Sequence, residues 1–383
     1  MRNMLCTARL SGFALTAAFL VSSAAARAEP RLSMIYAFTN QADGKTPAIW
    51  ATDRAGNLYG TTGLGGAGTT CAGGGCGTVF KISPDGTKTV LHTFTDAPDG
   101  SEPSGLIVNG NGDIFGTTTD AGQYGFGTVF KITPDGTETV IHSFKLRHTT
   151  KRPHGIWPTA GLIVGSDGNM YGTTWYGGIN NHCGEGGCGT VFKITPRGKL
   201  STIYAFGGGN DGCQPVSGLV QDRAGNLYGA NDGCGAGNSG TLYKVDTTGK
   251  ETVLHAFTGG SDGGGPQSAP IIDDAGNLYG GTLYGGSGCV PLGGCGVIYR
   301  VAPDGTETVL HSFQTRKDGY EITGSLLRDG AGNLFGTTYS GGAVAECNPP
   351  YGCGTIFKLA PDGVKTTLYE FLGPEHGDGS GLY

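Results

Sequence analysis

The chain has 383 residues and a formal net charge of −6 at pH 7, with 75 glycines and only 15% charged residues. Hydrophobic residues make up 37% of the chain and recur at fixed phases. This phasing excludes a disordered chain, and the absence of a Gly-X-Y period excludes a collagen-like one. The acidic balance also makes nucleic acids and anionic membrane surfaces poor partners.

The first 28 residues have the features of a secretory signal peptide. Arg2 and Arg9 precede an apolar core around residues 13–21, and small residues end at Ala28, where we expect cleavage. The apolar run is shorter than the ~20 residues that a membrane-spanning helix needs. We therefore expect an exported protein, periplasmic or extracellular, that does not insert into a membrane after cleavage.

The stretch 105–144 has the pattern of four short β-strands separated by turns. The strands are predicted at 105–108, 113–118, 128–132 and 139–144. Residues 128–132 alternate with the period of a half-buried strand, and Pro134, Asp135 and Gly136 form a tight turn. After the first thirty residues, no stretch keeps the apolar spacing of a helix.

This four-strand unit recurs along the chain. The signature Gly-Asn-Leu-Tyr-Gly or a variant of it begins at Gly56, Gly112, Gly168, Gly225, Gly276 and Gly332. A four-strand repeat of this length predicts an all-β propeller of six blades over residues 32–371. A parallel β-helix has a much shorter coil, and a β-sandwich would not reuse the same four strands six times.

The closure of the propeller leaves seven blades as the alternative. Outer-type strands are predicted at both ends, over 32–38 and 366–371, whereas the predicted inner strands number six. Residues 372–383 form a C-terminal tail or an incomplete repeat, because 377–383 look like the beginning of a further unit. The prediction is nevertheless six blades.

The repeat pattern also resembles a known family. Its first half is Gly-Leu-Ile-x-Asp-x-x-Gly-Asn-Leu-Tyr-Gly-Thr-Thr, and its second half is Gly-Thr-Val-Phe-Lys-Ile-Thr-Pro-Asp-Gly-Thr-x-Thr-Val-Leu-His-Ser-Phe. This pattern resembles the tandem repeats of secreted bacterial proteins called GloVer-containing, and it is more distantly similar to NHL-type propeller repeats. The resemblance covers roughly residues 32–371. It implies the propeller architecture and carries no established activity.

Ten cysteines remain after the predicted cleavage, and the repeat phase indicates how they pair. Four pairs lie in the glycine-rich loop between the second and third strands: Cys71 with Cys76, Cys183 with Cys188, Cys289 with Cys295, and Cys347 with Cys353. Cys213 and Cys234 lie in two loops on the same side of one blade, so we expect them to pair. In an exported protein these pairs are disulfides. A zinc site would need four converging ligands, and we do not expect pairs in different blades to converge.

Two repeat positions carry residues that are able to bind metal ions. His92, His142, His255 and His311 share one position in the fourth strand with Tyr204 and Tyr369, and we expect them to pack between blades, far from one another. Asp-Gly pairs begin at Asp43, Asp99, Asp211, Asp262 and Asp318 in the loops that join blades. Such carboxylates suit Ca²⁺, but Asp-Gly is also an ordinary turn pair. We predict no metal site and no cofactor, with Ca²⁺ as the alternative.

Five aromatic residues are the predicted ligand contacts. They lie where the second strand enters the long loop or in the insertion of the third blade: Trp157, Trp175, Tyr176, Tyr284 and Tyr339. Trp and Tyr are favoured interface anchors, although these rings could instead cover the edge of the core. The basic insertion 145–154 is interpreted as a solvated loop, with contact to an acidic partner as the alternative.

Taken together, these features predict an exported binding or scaffolding module for an extracellular or periplasmic protein or glycan. No nucleophile elbow, metalloprotease or phosphate-loop motif occurs in the chain, and no catalytic residue is predicted. The first alternative is a metal-dependent hydrolase or lyase with a site in the central channel, which the mostly glycine and aliphatic inner strands disfavour. The second is a purely structural envelope protein.

Overall fold

The computed structural model describes residues 35–39, 42–66, 71, 74–146, 154–178, 182–289, 293–342 and 352–373. All of them belong to the second of two compact units, residues 34–383. The predicted signal peptide and the tail 374–383 lie outside the described residues.

The described residues form six four-stranded antiparallel sheets, in each of which neighbouring strands are ordered as in the sequence. Blade one contains β1 (Lys45–Thr52), β2 (Leu58–Leu64), β3 (Thr78–Ile82) and β4 (Lys88–Thr93). Blade two contains β5 (Ser101–Val108), β6 (Ile114–Asp120), β7 (Thr128–Ile132) and β8 (Glu138–Ser143). Blade three and its loop contain β9 (Gly155–Ile156), β10 (Ile163–Val164), β11 (Met170–Thr174), β12 (Tyr176–Gly177), β13 (Thr190–Ile194) and β14 (Leu200–Ala205), of which β9 and β12 form a separate two-stranded sheet.

The remaining three blades repeat this arrangement with shorter inner strands. Blade four contains β15 (Val220–Gln221), β16 (Leu227–Asn231), β17 (Thr241–Val245) and β18 (Glu251–Ala256). Blade five contains β19 (Ile271–Ile272), β20 (Leu278–Gly281), β21 (Val297–Val301) and β22 (Glu307–Ser312). Blade six contains β23 (Leu327–Arg328), β24 (Leu334–Thr338), β25 (Thr355–Leu359) and β26 (Lys365–Glu370). The only helical segments in the described part of the chain are short 3₁₀ turns at Gly184–Gly186, Gly209–Asp211 and Arg316–Asp318. The protein is therefore a six-bladed β-propeller, as predicted.

A side-chain hydrogen-bond network explains the repeat signature Asp-x-x-Gly-Asn-Leu-Tyr. In blade four, Asp222 Oδ1 accepts the backbone N–H groups of Ala224 at 2.9 Å and Asn226 at 2.8 Å. Its Oδ2 accepts Asn226 Nδ2 at 2.7 Å and the Tyr228 hydroxyl at 3.0 Å. Burial raises the pKa of Asp222, but these hydrogen bonds outweigh it and lower the pKa overall. The signature therefore encodes a turn in which one carboxylate replaces missing backbone hydrogen bonds.

A chain of aromatic contacts joins each blade to the next. Phe94, which follows β4, packs at 5.1 Å between ring centroids against Phe130 of blade two, and both side chains are fully buried. The corresponding contacts between later blades are Phe144 with Phe192, Phe206 with Tyr243, Phe257 with Tyr299, and Phe313 with Phe357. At the beginning of the series, Phe38 makes the same contact with Phe80 at 5.1 Å. Residues 35–39 nevertheless form no strand, so the strand predicted at 32–38 is wrong in its described part.

In blades one to five, one face of the sheet packs against the next blade, and the corresponding face of blade six is less covered. The aliphatic residue at the second-last position of the inner strand packs against the next blade's core cluster in blades one to five: Ala51, Ile107, Ile163, Val220 and Ile271. Its counterpart in blade six, Leu327, is 72% exposed. In the described part of the chain, blade six therefore lacks a neighbour over this position of its inner strand.

Candidate functional site

The long loops and their disulfides lie on one side of the propeller. Because the strands of each blade are antiparallel, the loops from second to third strand and the loops joining blades leave the sheets at the same edge; we call this side the loop face. It carries four disulfides: Cys71–Cys76, Cys183–Cys188, Cys213–Cys234 and Cys289–Cys295. These four pairings are as predicted, whereas Cys347 lies outside the described residues. Disulfides fit a protein that folds in an oxidising compartment.

Two of these disulfides meet, although they belong to loops of different blades. The Sγ atoms of Cys183, Cys213 and Cys234 all lie within 4.8 Å of one another. The expectation that cysteine pairs of different blades do not converge is therefore wrong for blades three and four. The physical reason is that the blade-three loop packs into the core cluster that contains Cys188 and Cys213. Because all of these sulfurs are bonded in disulfides, they offer no thiolate ligands to zinc.

In five blades, a non-glycine residue in the inner strand or in the loop that leads into it lies in the left-handed region. Its φ is 55° at Thr46 and Glu102, 57° at Trp157, 59° at Gln214 and 60° at Glu321. Non-glycine residues rarely adopt this conformation, and it persists only where the surroundings enforce it. At three of these residues, a backbone hydrogen bond to the preceding blade holds the conformation. The N–H groups of Glu102, Trp157 and Gln214 donate to Cys76 O at 3.0 Å, Phe126 O at 3.1 Å and Cys188 O at 2.9 Å.

Three of the five predicted aromatic contacts meet in blade three, and we call them the aromatic cluster. The pairing of Ile156 with Tyr176 in the small β9–β12 sheet holds the two loop segments together. As a result, the Tyr176 ring lies 5.5 Å from Trp157 and 5.0 Å from Trp175, measured between centroids. All three rings are half-buried. Gln214, from the joining loop of the next blade, donates its amide Nε2 to the Tyr176 hydroxyl at 3.1 Å.

The other two predicted aromatic contacts lie in different blades. Tyr284 follows β20 in blade five and is 36% exposed. Tyr339 follows β24 in blade six, where its backbone N–H donates to Glu321 O at 2.9 Å. Sequence reasoning also missed Gln214. The available signal was that Gln214 precedes a proline at the same repeat position as Trp157 does.

The recurring histidine and aspartate positions meet at the blade junctions. His92 Nε2 lies 3.2 Å from Asp99 Oδ1, and the corresponding distances are 3.3 Å for His255–Asp262 and 3.2 Å for His311–Asp318. Tyrosine takes the place of histidine in the hydrogen bonds Tyr36–Asp43 and Tyr204–Asp211. The histidines are thus spread around the rim as expected, but each of these three has its own carboxylate partner.

Each histidine or tyrosine and its partner in the joining loop are completed by a third residue, which begins the outer strand of the next blade. We call each such set of three residues a junction cluster. The third residue is Lys88, Glu138, Leu200, Glu251, Glu307 and Lys365 in blades one to six. The junction between blades two and three differs, because the charged group that acts on His142 there is His154 and not an aspartate.

A β-bulge aims the histidine at the next blade. In blade one, Val79 pairs with His92 and Phe80 pairs with Val90, which leaves Leu91 as an extra residue. Val79 packs against blade two, so its pairing partner His92 faces the same way. The same register shift occurs between the outer two strands of every described blade.

The electrostatics of the junction clusters depend on the third residue. Burial and the neighbouring Asp99 raise the pKa of Glu138 to about 7, and burial with Asp211 raises the pKa of Glu251 to about 8. At the junction of blades five and six the third residue is a lysine. Burial raises the pKa of Asp318 there, but His311 and Lys365 outweigh it and lower the pKa to about 2.

The fold and the repeat signature define a tandem-repeat β-propeller with a loop face pinned by disulfides. The chain belongs to the Gloeobacter/Verrucomicrobia repeat family, whose model matches residues 24–185 and 181–382. This confirms the resemblance found in the repeat pattern. A comparison with curated proteins finds no match.

Solved propeller structures are similar to this chain at low sequence identity. A 6-phosphogluconolactonase candidate from Bacteroides uniformis is 14% identical with a TM-score of 0.50, over 83% of this chain and 82% of that chain. A gluconolactonase from Xanthomonas campestris is 15% identical with a TM-score of 0.45, over 76% of this chain and 82% of its own. A luciferin-regenerating enzyme is 14% identical with a TM-score of 0.47, over 88% and 95%. At these identities the similarity concerns the fold alone.

In the described ranges, no helix is both long and apolar enough to cross a membrane.

Proposed function

We propose that this protein is an exported binding module whose ligand surface is the loop face and whose ligands are carbohydrates. One observation carries the proposal: three half-exposed aromatic rings of blade three meet beside a side-chain amide from blade four. The rings are Trp157, Trp175 and Tyr176, and the amide belongs to Gln214.

The chemistry of the aromatic cluster suits a sugar. Indole and phenol rings offer large, rigid contact surfaces at a low cost in conformational entropy, and the C–H faces of a pyranose ring are apolar enough to stack on them. The Tyr176 hydroxyl and the Gln214 amide supply a donor and acceptors for sugar hydroxyls. Binding sites commonly combine an apolar surface with a few placed polar groups in this way.

The backbone at the aromatic cluster supports a binding role as well. Trp157 keeps a φ of 57°, a conformation that costs of order 1–3 kcal/mol and that is concentrated at functional sites. The disulfides on the same face fix the neighbouring loops before a ligand arrives, which reduces the entropy lost on binding. The low-identity propeller structures give no argument for a hydrolase in this chain, because they share only its fold.

The test uses the oxidised mature protein and a panel of soluble oligosaccharides. Thermal unfolding first identifies a sugar class that raises the melting temperature, and calorimetry then gives its dissociation constant. We expect Trp157→Ala to weaken that binding at least about tenfold, a loss of ~1.4 kcal/mol. The matched control is Trp50→Ala, which removes a tryptophan that is 42% exposed on the inner strand of blade one.

Two outcomes would contradict the proposal. One is an affinity that Trp157→Ala and Trp50→Ala reduce equally, because the sugar would then bind elsewhere. The other is a panel in which no sugar changes the melting temperature of the folded protein. That second result would favour a structural envelope protein or a protein ligand.

A further inference from the structure

The six junction clusters act as internal comparisons of one site. In two of them the third residue is a lysine whose ammonium contacts the aspartate. Lys88 Nζ donates to Asp43 O at 2.7 Å, and Lys365 Nζ donates to Asp318 O at 2.7 Å and Oδ1 at 2.6 Å. The Lys365 side chain is only 5% exposed. The fold therefore provides a half-buried position where a cation contacts the joining-loop aspartate.

In the junction between blades one and two, the same position holds a glutamate. His92 Nε2, an oxygen of Asp99 and an oxygen of Glu138 all lie within 4.8 Å of one another. The His92 and Asp99 side chains are 19% and 12% exposed. Glu138 Oε1 is fully buried and has no hydrogen-bond partner. Two carboxylates thus face each other at a place where blades one and six hold a lysine. Blade five also has a glutamate there, but among the described residues His255, Asp262 and Glu307 do not converge within 4.8 Å as this set does.

Burying a carboxylate oxygen without a partner is costly, and a second carboxylate nearby adds repulsion. A cation removes both costs at once, as the ammonium of Lys365 does for Asp318. Metal ligands at 2.0–2.2 Å from an ion are themselves separated by about 3–4.4 Å. The 3.2 Å between His92 Nε2 and Asp99 Oδ1 lies within that range, and the 4.8 Å limit on the other distances exceeds it by at most 0.4 Å.

We propose that His92, Asp99 and Glu138 form a metal site that binds a divalent cation of the Zn²⁺ class between blades one and two. The imidazole Nε2 and one oxygen of each carboxylate are the ligands. An imidazole ligand favours Zn²⁺ over Ca²⁺, which prefers oxygen ligands alone. The site is separate from the aromatic cluster of blade three, and it does not depend on the proposed carbohydrate binding.

The ion would connect three chain segments across one junction. His92 belongs to β4, Asp99 to the joining loop and Glu138 to β8. An ion that binds only this folded arrangement stabilises the fold by mass action. The site is therefore structural, and it would tie the first two blades together.

The experiment uses the oxidised mature protein, stripped with EDTA and dialysed. ZnCl₂, MnCl₂ and CaCl₂ are added separately, and bound metal is measured by mass spectrometry alongside the melting temperature. We expect Zn²⁺ to raise the melting temperature and to bind through this site, with a smaller effect of Ca²⁺. Calorimetry of Zn²⁺ binding then gives the affinity.

The chain itself supplies two matched variants that we expect to fold. Glu138→Lys copies the junctions of blades one and six, and His92→Tyr copies the junctions that use Tyr36 and Tyr204. Glu138→Lys should abolish the Zn²⁺ effect while it retains or raises the melting temperature of the metal-free protein. His92→Tyr should weaken Zn²⁺ binding at least about tenfold.

The proposal is overturned if the stripped protein binds no divalent ion, or if both variants respond to Zn²⁺ as the parent protein does. It is also overturned if a shared proton alone stabilises the pair, so that Glu138→Gln raises the melting temperature and metals change nothing. Oligosaccharide binding measured on Glu138→Lys separates this result from the proposed function, because the aromatic cluster is unchanged there.

Discussion

Lowering the pH should destabilise the protein through His142, the histidine whose junction cluster contains no carboxylate. His154 is the charged residue that acts on His142, and the third position is Leu200. Burial, together with His154, lowers the pKa of His142 from 6.5 to about 4. Below pH 6.5, His142 is therefore protonated in the unfolded chain, whereas it stays neutral in the folded chain down to about pH 4. The free energy of unfolding must therefore fall as the pH drops below 6.5. Above this pH, His142 is neutral in both states and costs no stability.

The size of the effect follows from the two pKa values. Between pH 7 and pH 5, a shift from 6.5 to about 4 removes about 2 kcal/mol of stability, because each pKa unit corresponds to about 1.4 kcal/mol. The comparison variant is His142→Tyr, since Tyr204 and Tyr369 occupy the same repeat position in other blades. Tyrosine stays neutral over this range.

The assay is urea denaturation of the parent and variant proteins at pH 7, 6 and 5, followed by tryptophan fluorescence. The difference between the two stability profiles isolates His142, because the remaining acid effects are common to both proteins. We expect the parent protein to lose about 2 kcal/mol more than the variant between pH 7 and pH 5. Parallel profiles would refute the reasoning, since His142 would then titrate equally in the folded and unfolded chains.

Two further predictions concern the turns and the loop face. Asp222→Ala should lower the free energy of unfolding by about 1–3 kcal/mol, because it removes the shared acceptor of a four-bond turn network. Arg223→Ala should change it by less than about 0.5 kcal/mol, because its ion pair is almost fully exposed; equal effects in urea denaturation would contradict this. Replacing Cys213 and Cys234 together by serine should cost about 3 kcal/mol in the same assay, since this disulfide spans 21 residues. An unchanged urea midpoint would show that the joining loop is held by its other contacts.

Most of the fold was predictable because the repeat supplies the same information six times. The strand Thr128–Ile132 is observed with its predicted bounds, since its alternation fixes one buried face. The inner strand of blade two begins earlier than predicted, at Ser101. Glu102 and Pro103 concealed that extension, because proline argues against a strand interior unless the strand lies at an edge.

The parts of the candidate sites that could not be predicted depend on contacts between blades. Alternation alone places His92 on the same side as Val90. The bulge at Leu91 instead turns His92 towards Asp99, and nothing in the local sequence signals it. The convergence of the disulfides of blades three and four could not be predicted for the same reason. The repeat phase gives the position of a residue within its blade, but it does not predict how the loops of neighbouring blades pack together.

A comparison of the six blades distinguishes repeat positions that packing requires from positions whose side chains are available for ligand binding. The aspartate of the turn network and the ring that ends each outer strand perform the same task in nearly every blade, so their near-uniformity follows from packing. The left-handed positions on the loop face share one backbone conformation, yet their side chains differ: Thr46, Glu102, Trp157, Gln214 and Glu321. A fixed and strained backbone that carries unrelated side chains is what a ligand surface requires, because the fold positions each residue without specifying it. Specificity should therefore change when these side chains are exchanged between blades, while the melting temperature stays nearly constant.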